Sequence, residues 1–273
     1  MSRDTCGVRP ITILDSCSNL QEFLENAFSL YSTRLFLGKR MILPGGEIDN
    51  EYCWLTYKEV GDVVLRVYSA LVGKLSIPPK STMSVCSKNY INWFVADFAI
   101  LYSGCIAGNV HCELSKESIV EIINTAETIC VFCDKERTQT FLDILSSKEC
   151  PSLKYVILLD DNLPPAGEAY DPSSVYTLSD LERIGKKNLI PKPVYSPPTD
   201  VADVIFTSGS TGRPKGVPSS HMNYLRYFRS KLTYDPVVTC ANCKKIYIRV
   251  FLSLSNTFRT YDISTSFFSS VVA

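Results

Sequence analysis

Ten consecutive residues, 207–216, combine three glycines, four hydroxyl side chains and a lysine. They read Thr207-Ser208-Gly209-Ser210-Thr211-Gly212-Arg213-Pro214-Lys215-Gly216. Gly209 and Gly212 allow the backbone to bend and to approach a ligand closely. Successive N–H groups in such a turn can point inward at an anion, the hydroxyl groups add donors, and Lys215 adds a positive charge. This composition predicts a loop that holds phosphate groups.

The residues on either side of this loop indicate how it is positioned. Residues 203–206 have the pattern of a buried strand and run directly into the loop. A helix is predicted to begin near Ser219 or Ser220, which places residues 221–223 in its first turn. The loop is therefore expected to connect a strand of the core to a helix.

Two other kinds of segment can have this content of glycine and hydroxyl residues. One is a flexible surface turn, but such a turn does not require a strand before the hydroxyl residues or the sequence Pro-Lys-Gly after them. A Walker-type loop is the other, and it needs Gly-x-x-x-x-Gly-Lys-Ser/Thr opening into a helix. Gly212 is followed by Arg213 and Pro214, so that pattern is not met.

The remainder of the chain predicts the architecture that carries the loop. Apolar residues recur at helical spacing in several segments: 20–31, after a capping box at Thr56 and Glu59, from about 92, after an N-cap at Ser115, 138–146 and 178–184. Short strands are predicted at 83–86, 129–133 and 155–159. This alternation predicts an α/β fold with a mostly parallel sheet flanked by helices.

Composition narrows the class of protein. The 273 residues carry 28 basic and 28 acidic side chains, so the net charge is zero and no nucleic-acid partner is expected. Hydrophobic residues make up 45% of the chain, which is too apolar for disorder. There is no apolar run of membrane-spanning length and no signal-peptide core near the start, so a cytoplasmic location is expected.

The eleven cysteines are expected to be reduced thiols. Cys130 and Cys133, and likewise Cys240 and Cys243, have the Cys-x-x-Cys spacing of zinc sites. Cys130 and Cys133 fall in a predicted strand, however, where residues three apart point to opposite faces. No metal site is therefore predicted.

The 207–216 segment resembles the phosphate-loop signature of the adenylate-forming superfamily, which includes acyl-CoA synthetases, luciferases and peptide-synthetase adenylation domains. It matches that signature, Thr/Ser-Ser-Gly-Ser/Thr-Thr-Gly-x-Pro-Lys-Gly, at every defined position. Residues 54–60, 87–93, 117–127 and 251–258 are similar to segments of the long-chain acyl-CoA synthetase branch. In the last of these, Ser253 replaces a proline and Asn256 replaces a histidine of the family pattern.

The resemblance implies that a carboxylate attacks the α-phosphorus of ATP, with Mg²⁺ assisting, and that coenzyme A then displaces AMP. It implies a set of residues that embrace the β- and γ-phosphates: Thr207, Ser208, Gly209, Ser210, Thr211, Gly212, Lys215 and Gly216. Asn256 stands where the family has an acyl-pocket or gating histidine, and the alternative for Asn256 is a surface polar residue. Fatty acid, ATP and coenzyme A are the implied partners, and a long-chain acid implies work near a membrane, peripherally on the endoplasmic reticulum or another intracellular membrane.

Several family segments are not found after the loop. They are the Tyr-Gly-x-Thr-Glu segment, the Tyr-x-x-Gly-Asp aspartate, and the small C-terminal domain with its catalytic lysine. The expected organisation is an N-terminal lead-in, 1–45, and a partial AMP-binding domain, 46–273, with no catalytic residue of its own. Such a chain is expected to have an exposed sheet edge, marginal stability and no complete reaction.

Three functions remain open at this point. The first is a truncated long-chain acyl-CoA synthetase, and the second is a non-catalytic protein that keeps the loop and binds a nucleotide. The third is an adenylating enzyme for another acid, such as an aryl or amino acid. The segments around Trp54 and Trp93 favour the long-chain branch over the third.

Overall fold

A computed structural model of the protein describes residues 11–42, 47–161, 170–207 and 214–234. The helices are α1 (Ile11–Asp15), α2 (Leu20–Leu30), α3 (Tyr57–Gly73), α4 (Ile91–Tyr102), α5 (Lys116–Thr125), α6 (Thr138–Ser147), α7 (Leu178–Lys187) and α8 (His221–Tyr234). The strands are β1 (Leu35–Ile42), β2 (Ile48–Thr56), β3 (Thr82–Cys86), β4 (Ile106–Ala107), β5 (Cys130–Cys133), β6 (Tyr155–Leu158), β7 (Val175–Thr177), β8 (Val201–Thr207) and β9 (Lys215–Ser220).

Seven strands form the main sheet in the order β7-β6-β5-β3-β4-β8-β9. Every neighbouring pair from β7 to β8 is parallel, and β9 alone runs antiparallel to its neighbour. The strands β1 and β2 form a separate antiparallel pair. The predicted α/β fold with a mostly parallel sheet is confirmed.

Local signals set the starts of the helices. The Thr56 hydroxyl accepts a hydrogen bond from the backbone N–H of Glu59, whose carboxylate accepts in return from the N–H of Thr56. This confirms the predicted capping box, which satisfies two of the unpaired donors at a helix N-terminus. Ser115 caps α5 as predicted, accepting from the N–H of Ser118.

The core consists of two clusters, one on each face of the sheet. One face packs against α2, α3, α4 and α8, and the other against α5 and α6. Cys130 belongs to the first cluster and Cys133 to the second. The two thiols therefore lie on opposite sides of the sheet, as their spacing predicted, while Cys240 and Cys243 lie outside the described residues.

The first of these clusters also contains residues from the start of the chain. Phe23 of α2 packs against Phe228 of α8, with ring centroids 5.6 Å apart. Phe36 of β1 stacks on Tyr57 of α3 at 4.0 Å. Residues from the expected lead-in, 1–45, and from the rest of the chain thus share one core.

The structure differs from the sequence-based prediction in three respects. Residues 48–56 form strand β2, whereas residues 54–57 were expected only to lead into a helix. Strand β9 follows the predicted phosphate loop before α8 begins, so the loop connects two strands rather than a strand and a helix. The strand pattern at 203–206 was read as buried, but these residues are half-buried, because β8 has only the exposed strand β9 on its outer side.

Across the described part of the chain, helices of sufficient length and hydrophobicity to traverse a bilayer are absent.

Candidate functional site

Strands β8 and β9 bring the two ends of the predicted phosphate loop together. Thr207, the last residue of β8, is the register partner of Lys215, the first residue of β9. The Thr207 hydroxyl lies 3.4 Å from the carbonyl oxygen of Lys215 and donates to it. The predicted site residues Ser208, Gly209, Ser210, Thr211 and Gly212, together with Asn256, lie outside the described residues.

Lys215 is exposed at the mouth of this strand pair. Its position at the first residue of β9 places its side chain next to the end of β8, where the loop begins. A flexible, exposed ammonium group in such a position is suited to bind an anion as a point charge. The hydroxyl of Thr207, on the opposite strand, would have to leave the Lys215 carbonyl oxygen in order to donate to an anion.

Gly216 is exposed, but a larger residue at this position would collide with side chains of β8. A Cβ atom at this position would lie 2.8 Å from Cγ1 of Val204 and 3.2 Å from a ring carbon of Phe206. Both side chains belong to β8, and Phe206 is the residue of β8 that pairs with Gly216. The absence of a side chain therefore lets β9 approach β8 closely, directly next to Lys215.

The start of α8 is held by backbone contacts around His221. The N–H of His221 donates to the carbonyl of Asp200 at 3.1 Å, and the N–H of Met222 donates to that of Pro198 at 2.9 Å. The N–H of Leu20 donates to Nδ1 of His221 at 3.3 Å. Burial lowers the pKa of His221 to about 4, so the ring stays neutral near pH 7 and keeps Nδ1 as an acceptor. The prediction that residues 221–223 form the first turn is confirmed.

A buried polar network lies between β8 and α8. The Tyr224 hydroxyl donates to Oδ2 of Asp203. Asp97 of α4 lies close enough to Asp203 to interact with it electrostatically, and it accepts a hydrogen bond of 2.7 Å from Nδ2 of Asn109. Burial raises the pKa of Asp97 to about 6 and that of Asp203 to about 7, since each carboxylate is costly to desolvate.

The sequence analysis assigned no role to any residue of this network. Asp203 was read only as part of a strand, and Asp97 only as part of an apolar helix. A weak signal was available, because Asp203 is a charged residue within a strand that is otherwise apolar up to Phe206. Its partners come from three other segments and could not be identified from spacing.

Carboxylates also follow the carboxyl ends of β5 and β6, where parallel sheets commonly bind ligands. Asp134 accepts from the N–H groups of Lys88 at 3.1 Å and Glu136 at 3.1 Å. Asp160 accepts from the Lys135 N–H at 3.0 Å and from the Tyr90 hydroxyl at 3.2 Å. These donors occupy both carboxylates, so they join the loops at this edge to each other.

The described residues place a cation beside the predicted phosphate loop and do not define a metal site. The exposed Lys215 and the close approach of β9 to β8 lie at the ends of that loop. Within 11–42, 47–161, 170–207 and 214–234, there is no group of three or more His, Cys, Asp or Glu side chains that could hold a metal ion.

Comparison with known sequences finds long-chain-fatty-acid–CoA ligases. The chain is 29% identical over 228 residues to long-chain-fatty-acid–CoA ligase 1 of Cavia porcellus, a match that covers 80% of this chain and 32% of the relative. It is 33% identical over 192 residues to long-chain-fatty-acid–CoA ligase 5 of Rattus norvegicus, covering 68% of this chain and 28% of the relative. The chain thus spans about a third of the length of these relatives.

Solved structures with the same fold include an anthranilate CoA ligase in complex with anthranoyl-AMP, with a TM-score of 0.63, 18% identity, and coverage of 77% of this chain and 36% of that one. The adenylation and carrier didomain of a carboxylic acid reductase from Segniliparus rugosus, in complex with AMP, superimposes with a TM-score of 0.66 and 16% identity over 81% of this chain and 35% of that one. The profile of the AMP-binding enzyme family matches residues 39–270. That match includes the whole of β8, the loop, and β9, and it confirms the resemblance to adenylate-forming enzymes: the chain belongs to the AMP-binding enzyme family.

Proposed function

We propose that residues 207–216 bind the phosphate groups of ATP, and that this chain is the nucleotide-binding part of an enzyme that activates a carboxylic acid. The observation that carries the proposal is the pairing of Thr207 with Lys215, which brings a hydroxyl and an ammonium group to the two ends of a glycine-rich loop. Ser208, Gly209, Ser210, Thr211, Gly212 and Gly216 complete the proposed binding segment.

The proposed reaction is the attack of a substrate carboxylate on the α-phosphorus of ATP. A bond forms between the carboxylate oxygen and phosphorus, the bond to the bridging oxygen breaks, and pyrophosphate leaves with that electron pair. Positioning and charge stabilisation dominate such phosphoryl chemistry, and Mg²⁺ would neutralise part of the phosphate charge when bound. Lys215 and the loop amides would hold the β- and γ-phosphates in line with the attack.

The proposed acid is a long-chain fatty acid, and coenzyme A would receive the acyl group in a second step. The names of the sequence relatives support this substrate, at 29–33% identity. Asn256 is proposed to face the acyl chain, by its match to the family segment. Because a long-chain fatty acid is poorly soluble in water, the enzyme is proposed to act at the cytoplasmic face of an intracellular membrane.

A different acid is the second candidate. The solved structures with this fold include a ligase for anthranilate, which is an aryl acid. A third candidate is nucleotide binding without catalysis. All three candidates use the same loop, and they differ in the acid and in turnover.

Titration of the 273-residue chain with ATP–Mg²⁺ in a calorimeter tests the proposal. Replacing Lys215 by Ala removes a charge-assisted contact of about 1.5–3 kcal/mol, so Kd should rise about tenfold to a hundredfold. Lys186→Ala, on the exposed face of α7, is the matched control and should leave Kd unchanged. Equal Kd values for both variants, or no binding by the unmodified chain, would contradict the proposed site.

A hydroxamate trap for acyl-adenylate, with palmitate, anthranilate or no acid, then separates the candidates. Product with palmitate alone supports the long-chain substrate, and product with anthranilate alone supports the aryl acid. Binding of ATP with no product in either case supports the non-catalytic function.

A further inference from the structure

We propose that Asp203 and Tyr224 are positioning residues for the phosphate loop, because the hydrogen bond between them holds the chain together on both sides of the 207–216 segment. This inference rests on the proposed function, since it concerns the same loop. It goes beyond that function by naming two residues that do not touch the nucleotide and yet determine how well the loop binds it.

The hydrogen bond between Tyr224 and Asp203 joins two positions of the chain, one before the loop and one after it. Asp203 lies in β8, four residues before Thr207, and Tyr224 lies in the first turn of α8, shortly after β9 ends. The Tyr224 hydroxyl donates to Oδ2 of Asp203 across 21 residues of sequence. Any separation of α8 from β8 would therefore be transmitted to the strand pair that carries Thr207 and Lys215.

The Asp203–Tyr224 pair is also connected to the inner strands of the sheet. Asp203 is the register partner of Ala107 in β4 and of Ser219 in β9. Asp97, its electrostatic neighbour, accepts from Asn109 at 2.7 Å, and Oδ1 of Asn109 accepts from the N–H of Val85 in β3 at 3.0 Å. The network thus extends from β3 through α4 and β8 to α8, and the step from Asp97 to Asp203 is electrostatic rather than a hydrogen bond.

Removal of one partner is costly in such an arrangement. Asp97 and Tyr224 are each 6% exposed, so these two side chains have little access to water, while Asp203 and Asn109 are half-buried. Without the Tyr224 hydroxyl, the Asp203 carboxyl group would lack a side-chain donor while Asp97 repels its charged form. Relaxation of β8 away from α8 would bring water to that group, at the expense of the loop geometry.

Tyr224→Phe is the direct test, and Tyr68→Phe is its matched control. Tyr68 is also a buried tyrosine of the first core cluster, and its hydroxyl donates to the carbonyl of Lys192 at 3.1 Å, outside the 203–224 segment. Both variants lose one partly buried hydrogen bond. Three quantities are measured on the 273-residue chain: Tm, Kd for ATP–Mg²⁺, and hydrogen exchange of peptides covering 207–216 without nucleotide.

We expect comparable losses of Tm in both variants, but a rise in Kd of about tenfold for Tyr224→Phe alone, since only that variant loses the bond between β8 and α8. Exchange across 207–216 should accelerate only in Tyr224→Phe. Asp203→Asn keeps an oxygen that accepts from Tyr224, so it should bind ATP–Mg²⁺ within about twofold of the unmodified chain. Asp203→Ala should behave like Tyr224→Phe, and the double variant should be no worse than either single variant.

Equal Kd and equal exchange in the two tyrosine variants would overturn the inference and leave the proposed function intact. Failure of the unmodified chain to bind ATP–Mg²⁺ would overturn the proposed function. In that case the exchange data still decide the inference: faster exchange at 207–216 in Tyr224→Phe than in Tyr68→Phe supports positioning of the loop, and equal exchange contradicts it.

Discussion

Thr207 and Lys215 lie eight positions apart in the sequence and face each other as the final pair of an antiparallel ladder. The pairing makes the seven intervening residues a connection between two strands, rather than a segment leading from a strand into a helix. Its consequence is that the residues proposed to bind phosphate depend on the packing of β9 against β8.

Gly216→Ala tests that dependence. The added methyl group would lie 2.8 Å from Val204 Cγ1, so β9 must shift away from β8 next to Lys215. Overpacking of this kind costs about 1–3 kcal/mol. We expect a lower Tm and weaker ATP–Mg²⁺ binding, measured by calorimetry on the 273-residue chain. An unchanged Kd would show that the loop tolerates displacement of β9.

Gly185→Ala should be the most damaging of the small substitutions. Gly185 of α7 faces the backbone of α3, and a Cβ atom there would lie 1.8 Å from the carbonyl oxygen of Arg66. Helices α3 and α7 must separate, because a backbone atom cannot rotate away. We expect a loss of several degrees in Tm, or failure to fold, in thermal denaturation.

Gly73→Ala, in the last residue of α3, provides the comparison for that substitution. Its Cβ atom would meet Ile190 Cδ1 at 3.6 Å, which is an ordinary contact. Replacing a helical glycine by alanine stabilises a helix by about 0.5–1 kcal/mol, so Tm should stay constant or rise. Similar losses for both alanine variants would show that the contact with α3 is not the cause.

His221 should make stability depend on pH in the acidic range. Its pKa falls from 6.5 to about 4 on burial, so the unfolded chain binds a proton at a pH where the folded chain does not. The neutral ring therefore favours the folded state above pH 6.5, and this contribution is lost as the pH falls to about 4. The difference of pKa corresponds to about 3 kcal/mol.

Urea denaturation between pH 4 and pH 7 measures this effect. His221→Asn keeps an acceptor for the Leu20 N–H and does not titrate, so its stability should fall less steeply between pH 6.5 and pH 4. Identical slopes for the two proteins would contradict the assignment of the effect to His221.

Asp203 should change the stability of the fold with pH in the direction opposite to His221. Burial, followed by the repulsion from Asp97, raises its pKa from 3.8 to about 7, so the folded state binds the proton more tightly than the unfolded state. Its favourable contribution is complete below pH 3.8 and is lost as the pH rises through 7. The titratable groups that act on Asp203 within the described residues are Tyr224 and Asp97.

Asp203→Asn isolates this contribution. The variant keeps an acceptor for the Tyr224 hydroxyl but has no proton to lose. Between pH 4 and pH 7, urea denaturation should therefore show a smaller fall in stability for the variant than for the unmodified chain. A variant that declines as steeply would assign the pH dependence to another group.

The helices were predicted well because their signals are local. The Thr56–Glu59 capping box and the Ser115 cap each involve residues three apart, and the apolar stripes repeat within one helix. The parallel strands β3, β5 and β6 followed from short apolar runs between those helices, whereas the short strands β4 and β7 were not predicted. Cys130 and Cys133 were placed on opposite faces by the alternation of a strand alone.

Strand β9 and the buried network were not predicted because they depend on distant partners. Residues 215–220 contain Gly216 and Pro218, which are poor strand formers, and they become a strand through pairing with β8. Asp97, Asn109, Asp203 and Tyr224 come from four separate segments, so their spacing gives no sign of contact. The phosphate loop was recognisable from its residue types, and its connection to a second strand was not.

The hydrogen bond from Leu20 to His221 spans 201 residues, and this separation has a consequence for the order of events during synthesis. Helix α2 emerges from the ribosome early, but Phe228, against which Phe23 packs, emerges more than two hundred residues later. Helix α2 can pack against α3 and α4 before then, but its contact with α8 through Phe23 and Phe228 forms only after α8 has emerged, so that part of its surface meets water and molecular chaperones first. Contacts between such distant segments slow folding, so α8 and the beginning of the chain should reach their native arrangement in the same late step.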